Sequence, residues 1–305
     1  MAIDLEVARL LLSAAKRSAS FENTLTLGRQ AYLPGHKESH RLLREFGFDP
    51  AACNSWYSSD RSVPYAEGFF RLLGARRLDS LDVGAFENAT IIHDLNRPIP
   101  DDLVGQFDVV LDCGTLEHVF NFPTAVANCM RMTKLGGRII LQTPANNFFG
   151  HGLYQFSPEL FYLLFSEKNG FVTERLLAIE YAPRRRTFHV FDPAQAGLRA
   201  SLINSYPVLL FVQARKETEK PLFLEWPAQH EYATPSDPGK TWATVDAIVR
   251  SQSLPQSDRI KRQLIDRAPR LARYLEGFLF SRFNPSFSWR NRRAFRRLNR
   301  SDLDG

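Results

Sequence analysis

Apolar residues in the middle of the chain follow the pattern of strands separated by a helix. Residues 107–111 form an apolar, β-branched run without alternation, which is typical of a strand buried on both faces of a parallel sheet. Apolar positions then recur at helical spacing from Phe122, with Asn121 as the predicted helix cap. The glycine pair 136–137 is predicted to end this helix before a second strand at 138–142. A right-handed crossover places the two strands side by side, with a ligand beyond their carboxyl ends.

The middle of the chain contains the strand FDVV, a turn ending in LEHV, an LGG after the helix, and a strand ending in TPAN. With these motifs the stretch from 77 to 162 resembles class I S-adenosylmethionine (SAM) dependent methyltransferases. This resemblance implies an α/β, Rossmann-like, doubly wound and mostly parallel seven-stranded sheet, and extends more loosely over residues 22–216. It also implies SAM as the cofactor. The residues that it places around the cofactor and the substrate mouth are Cys113, Gly114, Thr115, Glu117 and His118.

The loop after the first strand departs from this family. Family members carry several glycines there, because the backbone must approach the methionine part of SAM closely. In this chain the candidate first strand is TLTLGRQ, residues 24–30, where Gly28 stands alone before Arg29 and Gln30. We assign these three residues to the methionine end of SAM. Because Arg29 and Gln30 stand where the family has glycines, an alternative stays open, an inactive methyltransferase-like binding or scaffold protein. A nicotinamide-dependent oxidoreductase is the weakest alternative, because the chain has no G-x-G-x-x-G loop.

The spacing of the next apolar runs decides which carboxylate could hold ribose. The segment 81–88 lies too close to residue 107 to contain the first strand. We therefore place the second strand at 79–83 and the third at 90–94. A carboxylate that ends the second strand can accept both hydrogen bonds of a ribose diol. The predicted contacts are Asp82 and Val83 with ribose and Asp94 and Leu95 with adenine, although both carboxylates could instead serve as turn caps.

Two histidines are candidate bases on the acceptor side. His118 ends the LEHV turn, and His151 lies between the fifth strand and a helix capped by Ser157. A histidine can take a proton from an acceptor hydroxyl because its ordinary pKa lies near neutral pH. A structural role is the alternative for each. No metal site is predicted, since the three cysteines lack the spacing of a zinc site or a disulfide framework.

Residues 171–181 and 207–215 are predicted to close the sheet with an antiparallel edge. Between them the sequence predicts a basic loop and a helix. This loop contains three consecutive arginines, 184–186, which indicate either a solvated surface or a site for an anionic acceptor.

Length and composition favour one large α/β core with an appendage. The chain has 305 residues, 44% of them hydrophobic, and a mean hydropathy of −0.27. We predict a methyltransferase-like domain at 1–218, with an N-terminal helix and a loop-rich insertion at 47–68 that forms a surface elaboration or a lid. Residues 219–305 are predicted to form a linker and a basic helical extension. Three unpaired thiols and no convincing secretory signal predict a cytoplasmic protein.

The segment 257–305 is strongly basic, with thirteen Lys or Arg and five Asp or Glu. Residues 271–279 carry an apolar stripe at helical spacing, and arginines then interleave with aromatic residues. This segment either packs on the main domain or contacts an anionic membrane at its inner face. Nucleic acid is not an expected partner. The sequence thus predicts SAM-dependent methyl transfer to an oxygen or nitrogen of a small molecule, a carbohydrate or a lipid-linked glycan.

Overall fold

The computed structural model describes residues 2–57, 63–85, 87–229 and 288–304. The predicted stripe at 271–279 lies outside these residues. The described residues fall into two compact units, one within residues 2–190, 206–227 and 296–304, the other made of residues 191–205, 228–229 and 288–295. No helix among the described residues is both long enough and apolar enough to cross a bilayer.

The described strands and helices alternate along much of the chain. The strands are β1 (Ala2–Ile3), β2 (Asn23–Leu27), β3 (Ala31–Tyr32), β4 (Arg77–Asp82), β5 (Ile91–Ile92), β6 (Phe107–Cys113), β7 (Thr133–Asn146), β8 (Phe171–Glu180), β9 (Arg186–Val190), β10 (Val208–Lys216) and β11 (Phe295–Arg297). The helices are α1 (Leu5–Lys16), α2 (His36–Glu45), α3 (Glu67–Leu72), α4 (Phe122–Met132), α5 (Pro158–Leu164), α6 (Pro193–Ala196) and α7 (Arg300–Asp304). Single turns of 3₁₀-type helix occur at Pro50–Trp56, Asp101–Leu103, Leu116–His118 and Glu167–Asn169.

The main sheet confirms the predicted doubly wound fold. Its described strands run in the order β11-β9-β8-β10-β7-β6-β2-β4-β5. The five strands from β7 to β5 are parallel, and β10 runs antiparallel to both β7 and β8. The segment TLTL lies in β2 at the centre of the sheet, as the sequence predicts.

The prediction of seven strands is wrong, since the described sheet has nine. The basic segment predicted as a loop contains β9, which pairs antiparallel with β8. Most of β9 is buried, since Thr187, Phe188 and Val190 are all buried and only Arg186 and His189 are partly exposed. β11, from the C-terminal region predicted as helical, lies beside β9 at the edge of the sheet.

The glycine pair at 136–137 does not end α4, which stops at Met132. Both glycines lie inside β7, where the pairing with β6 shifts register between Phe107 and Val109. Gly136 has a φ of +78°, and a Cβ on Gly137 would lie 3.0 Å from the carbonyl oxygen of Asp108. The pair therefore allows a bulge in β7 and a close approach to β6.

Helices cover both faces of the sheet. α1 is apolar along most of its length, and its Leu10, Leu11 and Leu12 are buried in a core shared with α2 and α3. α4 is apolar too, and its buried side chains include Val126 and Cys129. This layering leaves the loops at the carboxyl ends of the parallel strands available for a site.

The described part of the insertion 47–68 is packed against the core. The indole of Trp56 lies edge-on to the rings of Tyr32 and Phe69, with centroids 5.3 and 5.9 Å away. Gly68 is needed beside it, because a Cβ there would lie 2.3 Å from Trp56 Cδ1. Trp56 thus anchors the insertion to the core.

Candidate active site at the carboxyl ends of the strands

The chain changes direction across the sheet between β2 and β6. From β2 it continues to β4 and β5 on one side, and only then crosses to β6 and β7 on the other. Such switch points are where ligands bind in open α/β sheets. Thr115, in the loop after β6, donates its hydroxyl hydrogen bond to the carbonyl of Leu27 over 3.0 Å. The loops that flank the switch point are therefore linked directly.

The loop after β2 is held by its own side chains. Gly28 adopts a φ of +66°, and its amide donates to the carbonyl of Leu81 on β4. Gln30 is buried and donates to the carbonyl of Leu27 over 2.7 Å. Arg29 forms an ion pair with Glu67 over 2.6 Å. Arg29 and Gln30 therefore shape the loop through contacts within the protein, and a role for them or for Gly28 in cofactor binding stays a prediction.

The predicted ribose carboxylate lies where the register requires it. Asp82 is the last residue of β4, and its Oδ1 accepts a hydrogen bond from the amide of Gly84 over 3.3 Å. Its Oδ2 has no hydrogen-bond partner among the described residues. Val83, the next residue, is 73% exposed. The end of β4 thus offers an acceptor atom beside an exposed apolar side chain, and contact of Asp82 and Val83 with ribose stays a prediction.

The two residues predicted to face adenine have partners of their own. Asp94 accepts hydrogen bonds from the backbone and side chain of Asn96, which lower the pKa of Asp94. Leu95 is buried, and its carbonyl accepts from the amide of Asn128. Asp94 therefore caps a turn after β5, and contact of either residue with adenine stays a prediction.

A cavity of about 300 Å³ lies beside β2 and β4. Its walls include the side chains of Thr26, Arg29, Gln30, Glu67, Asp79 and Ser80, and Asp82 is not among its lining residues. This cavity therefore does not test the prediction that Asp82 contacts ribose.

Asp112, near the end of β6, is a site residue that the sequence analysis missed. Its carboxylate is fully buried and accepts hydrogen bonds from the amides of Thr115, over 2.8 Å, and Leu116, over 3.2 Å. Burial and the nearby charge of Glu117 raise the pKa of Asp112. The bonds fix the turn in which Cys113 is buried and Gly114 has a φ of +105°. The sequence does carry a signal for Asp112, a carboxylate after an apolar strand, and the same signal indicated Asp82.

Glu117 lies at the centre of the loops after β6 and β7. Its carbonyl accepts hydrogen bonds from the amides of Leu153, over 2.7 Å, and Tyr154, over 3.2 Å. Gly152 packs directly on it, because a Cβ on Gly152 would lie 2.9 Å from Glu117 Cγ. The loop after β7 therefore closes over Glu117 and buries its side chain.

Both candidate bases lie next to the Glu117 carboxylate. His151 Nε2 is 3.5 Å from Glu117 Oε1, and the rings of His118 and His151 have centroids 5.3 Å apart. Burial raises the pKa of Glu117, and burial together with the nearby His151 lowers the pKa of His118. The fold thus joins three predicted site residues into one group, the Glu117–His118–His151 cluster.

Comparisons with known proteins identify the class of domain. Residues 82–141 match the sequence model of a family described as a methyltransferase domain. No curated relative matches the chain. The match runs from the end of β4 into β7 and contains Asp82, Glu117 and His118. It confirms the prediction of a methyltransferase domain in this part of the chain, for which SAM is the expected methyl donor.

Solved structures similar to the chain share little sequence with it. One is a Bacillus halodurans C-125 protein assigned as a methyltransferase, with 13% identity and a TM-score of 0.37 over 68% of this chain and 99% of that one. Another is the 1,6-didemethyltoxoflavin N1-methyltransferase of Burkholderia thailandensis, with 16% identity and a TM-score of 0.36 over 70% and 80%. A third is the N-methyltransferase NodS of Bradyrhizobium japonicum WM9, with 13% identity and a TM-score of 0.36 over 70% and 86%.

Proposed function

We propose that the chain transfers a methyl group from SAM to an oxygen or nitrogen acceptor at the carboxyl ends of β2, β4, β6 and β7. The observation that carries the proposal is the register of β4, which ends at Asp82 beside the switch point and inside the stretch that matches a methyltransferase domain. SAM supplies an electrophilic methyl group on a sulfonium. The task of the protein is then to align donor and acceptor and to receive a proton.

Asp82 is the proposed ribose ligand. Its free Oδ2 can accept a hydrogen bond from a hydroxyl group, and the turn at Gly84 holds Oδ1 in place. Gly28 is the proposed contact with the methionine end, because its positive φ brings the loop backbone close to the end of β4. Only one glycine serves here, so we expect the methionine part to be held less closely than in glycine-rich relatives.

The Glu117–His118–His151 cluster is the proposed acceptor side. Both imidazoles are exposed, so an acceptor can reach them from solvent. A neutral histidine beside the acceptor can take up its proton, and the lowered pKa of His118 keeps this ring neutral at physiological pH.

Calorimetric titration with SAM tests the cofactor site. We expect wild-type protein to bind SAM and Asp82→Ala to weaken binding by about tenfold, the loss of a good hydrogen bond. Asp101→Ala is the matched control, because Asp101 is a fully exposed carboxylate in a surface ion pair with Arg131. No heat with wild-type protein would favour the inactive binding or scaffold protein instead.

For the acceptor, we propose a carbohydrate or a lipid-linked glycan. The support is the basic and aromatic composition of 257–305, which suits an anionic membrane surface. Vesicle sedimentation tests this, comparing vesicles of anionic and neutral lipid. We expect binding to the anionic vesicles alone, and its loss when Lys261, Arg262 and Arg267 are changed to Gln. Equal recovery with both lipids would leave a small soluble acceptor as the better proposal.

A further inference from the structure

The carboxylate of Glu117 is buried with one oxygen unsatisfied. The side chain is 2% exposed, and Oε2 has no hydrogen-bond partner. A buried carboxylate oxygen without a partner carries a large desolvation cost, so such groups are usually paired or bound to a metal. The other oxygen, Oε1, lies 3.5 Å from the imidazole Nε2 of His151.

The donor atoms of Glu117, His118 and His151 all lie within 4.8 Å of one another. Two ligands of a tetrahedral metal, each about 2.1 Å from the ion, are about 3.4 Å apart. The distance of 3.5 Å between Glu117 Oε1 and His151 Nε2 is already close to this spacing. His118 and His151 are exposed, so small side-chain rotations can bring the third donor into place.

From this geometry we infer that Glu117, His118 and His151 form a binding site for one divalent transition-metal ion. Two imidazoles with one carboxylate suit Mn²⁺, Fe²⁺, Co²⁺ or Zn²⁺, whereas Mg²⁺ and Ca²⁺ prefer oxygen ligands. Three protein ligands leave at least one coordination position open, and the exposed side of the cluster faces solvent there.

The loop after β7 gives the site its rigidity. Gly152 packs on Glu117, and the amides of Leu153 and Tyr154 bond to the Glu117 carbonyl, so the backbone on either side of the carboxylate is fixed. The phenyl ring of Phe148, with its centroid 5.6 Å from that of His151, supports the second imidazole. Preorganised ligands of this kind favour metal binding.

The consequence for catalysis rests on the proposed methyl transfer. An ion in the cluster would bind an acceptor hydroxyl at its open position and lower the pKa of that hydroxyl. The two histidines would then hold the ion instead of taking up the proton, and the hydroxyl proton would pass to solvent water at the exposed side of the cluster.

Cobalt titration tests the site without SAM, so its outcome is independent of the cofactor proposal. Metal-free protein is titrated with Co²⁺, and binding is measured both by calorimetry and by the visible absorption of the bound ion. We expect one Co²⁺ per chain, and affinity at least about tenfold lower in Glu117→Gln and in His151→Ala. A large excess of Mg²⁺ should not displace the ion.

The matched control is the double variant His36→Ala/His40→Ala. These residues form another pair of neighbouring imidazoles, on α2, with centroids 5.9 Å apart. We expect this double variant to bind Co²⁺ with the affinity of the wild-type protein. His151 is exposed, so His151→Ala remains folded even if Glu117→Gln does not. Absence of Co²⁺ binding, or binding unchanged in His151→Ala, would overturn the inference.

Discussion

Gly152 lies so close to Glu117 that a methyl group on Gly152 would be 2.9 Å from Glu117 Cγ and 3.0 Å from the Glu117 carbonyl oxygen. Its φ of +70° is also in the left-handed region that favours glycine. The packing of the loop after β7 on the turn after β6 depends on this contact. Any side chain at position 152 must push the two loops apart.

We therefore expect Gly152→Ala to destabilise the protein more than the same substitution at the neighbouring Gly150. Gly150 is the control, because its φ is +85° but a Cβ there would meet nothing within 4 Å. Gly150→Ala should cost about 1 kcal/mol from backbone strain alone, and Gly152→Ala about 1–3 kcal/mol more from the overlap. Hydrogen exchange at the Leu153 and Tyr154 amides should accelerate in Gly152→Ala alone. Equal exchange in the two variants would contradict the packing argument.

The pH dependence of stability should report on Glu174 in β8. Burial would raise the pKa of Glu174, but hydrogen bonds from Arg138 and Gln213 outweigh it and hold that pKa below its ordinary value. A lowered pKa in the folded state contributes stability above the unfolded pKa of about 4.3, and this stability is lost as pH falls through the folded value.

Glu174→Gln should therefore lower the free energy of unfolding at neutral pH by about 1 kcal/mol, a figure reduced for partial solvent screening. The difference from wild type should shrink as the pH falls from about 4.3 through the lowered folded pKa, below which both states of the wild-type residue are protonated. Urea denaturation at several pH values measures this difference in the free energy of unfolding. Glu225→Gln is the control, since Glu225 is exposed and pairs only with exposed Lys168. A pH-independent loss would contradict the charged role of Glu174.

The neighbouring arginines 184 and 185 should differ in their effect on stability. Arg185 lies 3.0 Å from Asp4, the cap of α1, and its guanidinium is 4.3 Å from the ring centroid of Tyr181. Arg184 is exposed. We expect Arg185→Ala to cost about 1 kcal/mol and Arg184→Ala close to nothing, measured by thermal unfolding. Equal effects would show that the Asp4 contact does not stabilise the fold.

The thiols of Cys113 and Cys129 should be inert in the folded protein. Both are buried, and burial raises the pKa of each thiol, which suppresses the reactive thiolate. Ellman's reagent should modify neither residue in native protein and both after unfolding in guanidinium chloride. Peptide mapping of the modified chain identifies the sites. Rapid modification of Cys113 in native protein would indicate that the loop after β6 opens.

The sequence predicts the sheet well where short-range patterns are strong. TLTL is the one good strand candidate upstream of residue 79 and identifies the central strand β2. The apolar run at 107 identifies β6, because buried parallel strands lack alternation. The strand β9 was missed because the three arginines at 184–186, the last of which begins the strand, resemble a solvated loop. Its first residue, Arg186, pairs with the buried Glu180 of β8, a partner that strand pairing reveals.

The site was predicted less completely, for a physical reason. Glu117 and His151 are far apart along the chain, and their contact depends on how the loop after β7 folds back over the turn after β6. Asp112 was missed although it follows an apolar strand as Asp82 does, because its hydrogen bonds to the backbone amides of Thr115 and Leu116 depend on how the turn folds. Each residue type could be read from the sequence, but the burial of Glu117 and its unsatisfied oxygen could not.

The C-terminal helix α7 packs against α1, and Arg300 pairs with Glu45 of α2. Arg17, just after α1, also donates to the carbonyl of Asp302. The two termini of the chain are thus neighbours in space. Truncation of the protein after residue 295, or insertion of a bulky tag there, should uncover α1 and α2 and make them accessible to proteases, so a tag is better inserted elsewhere.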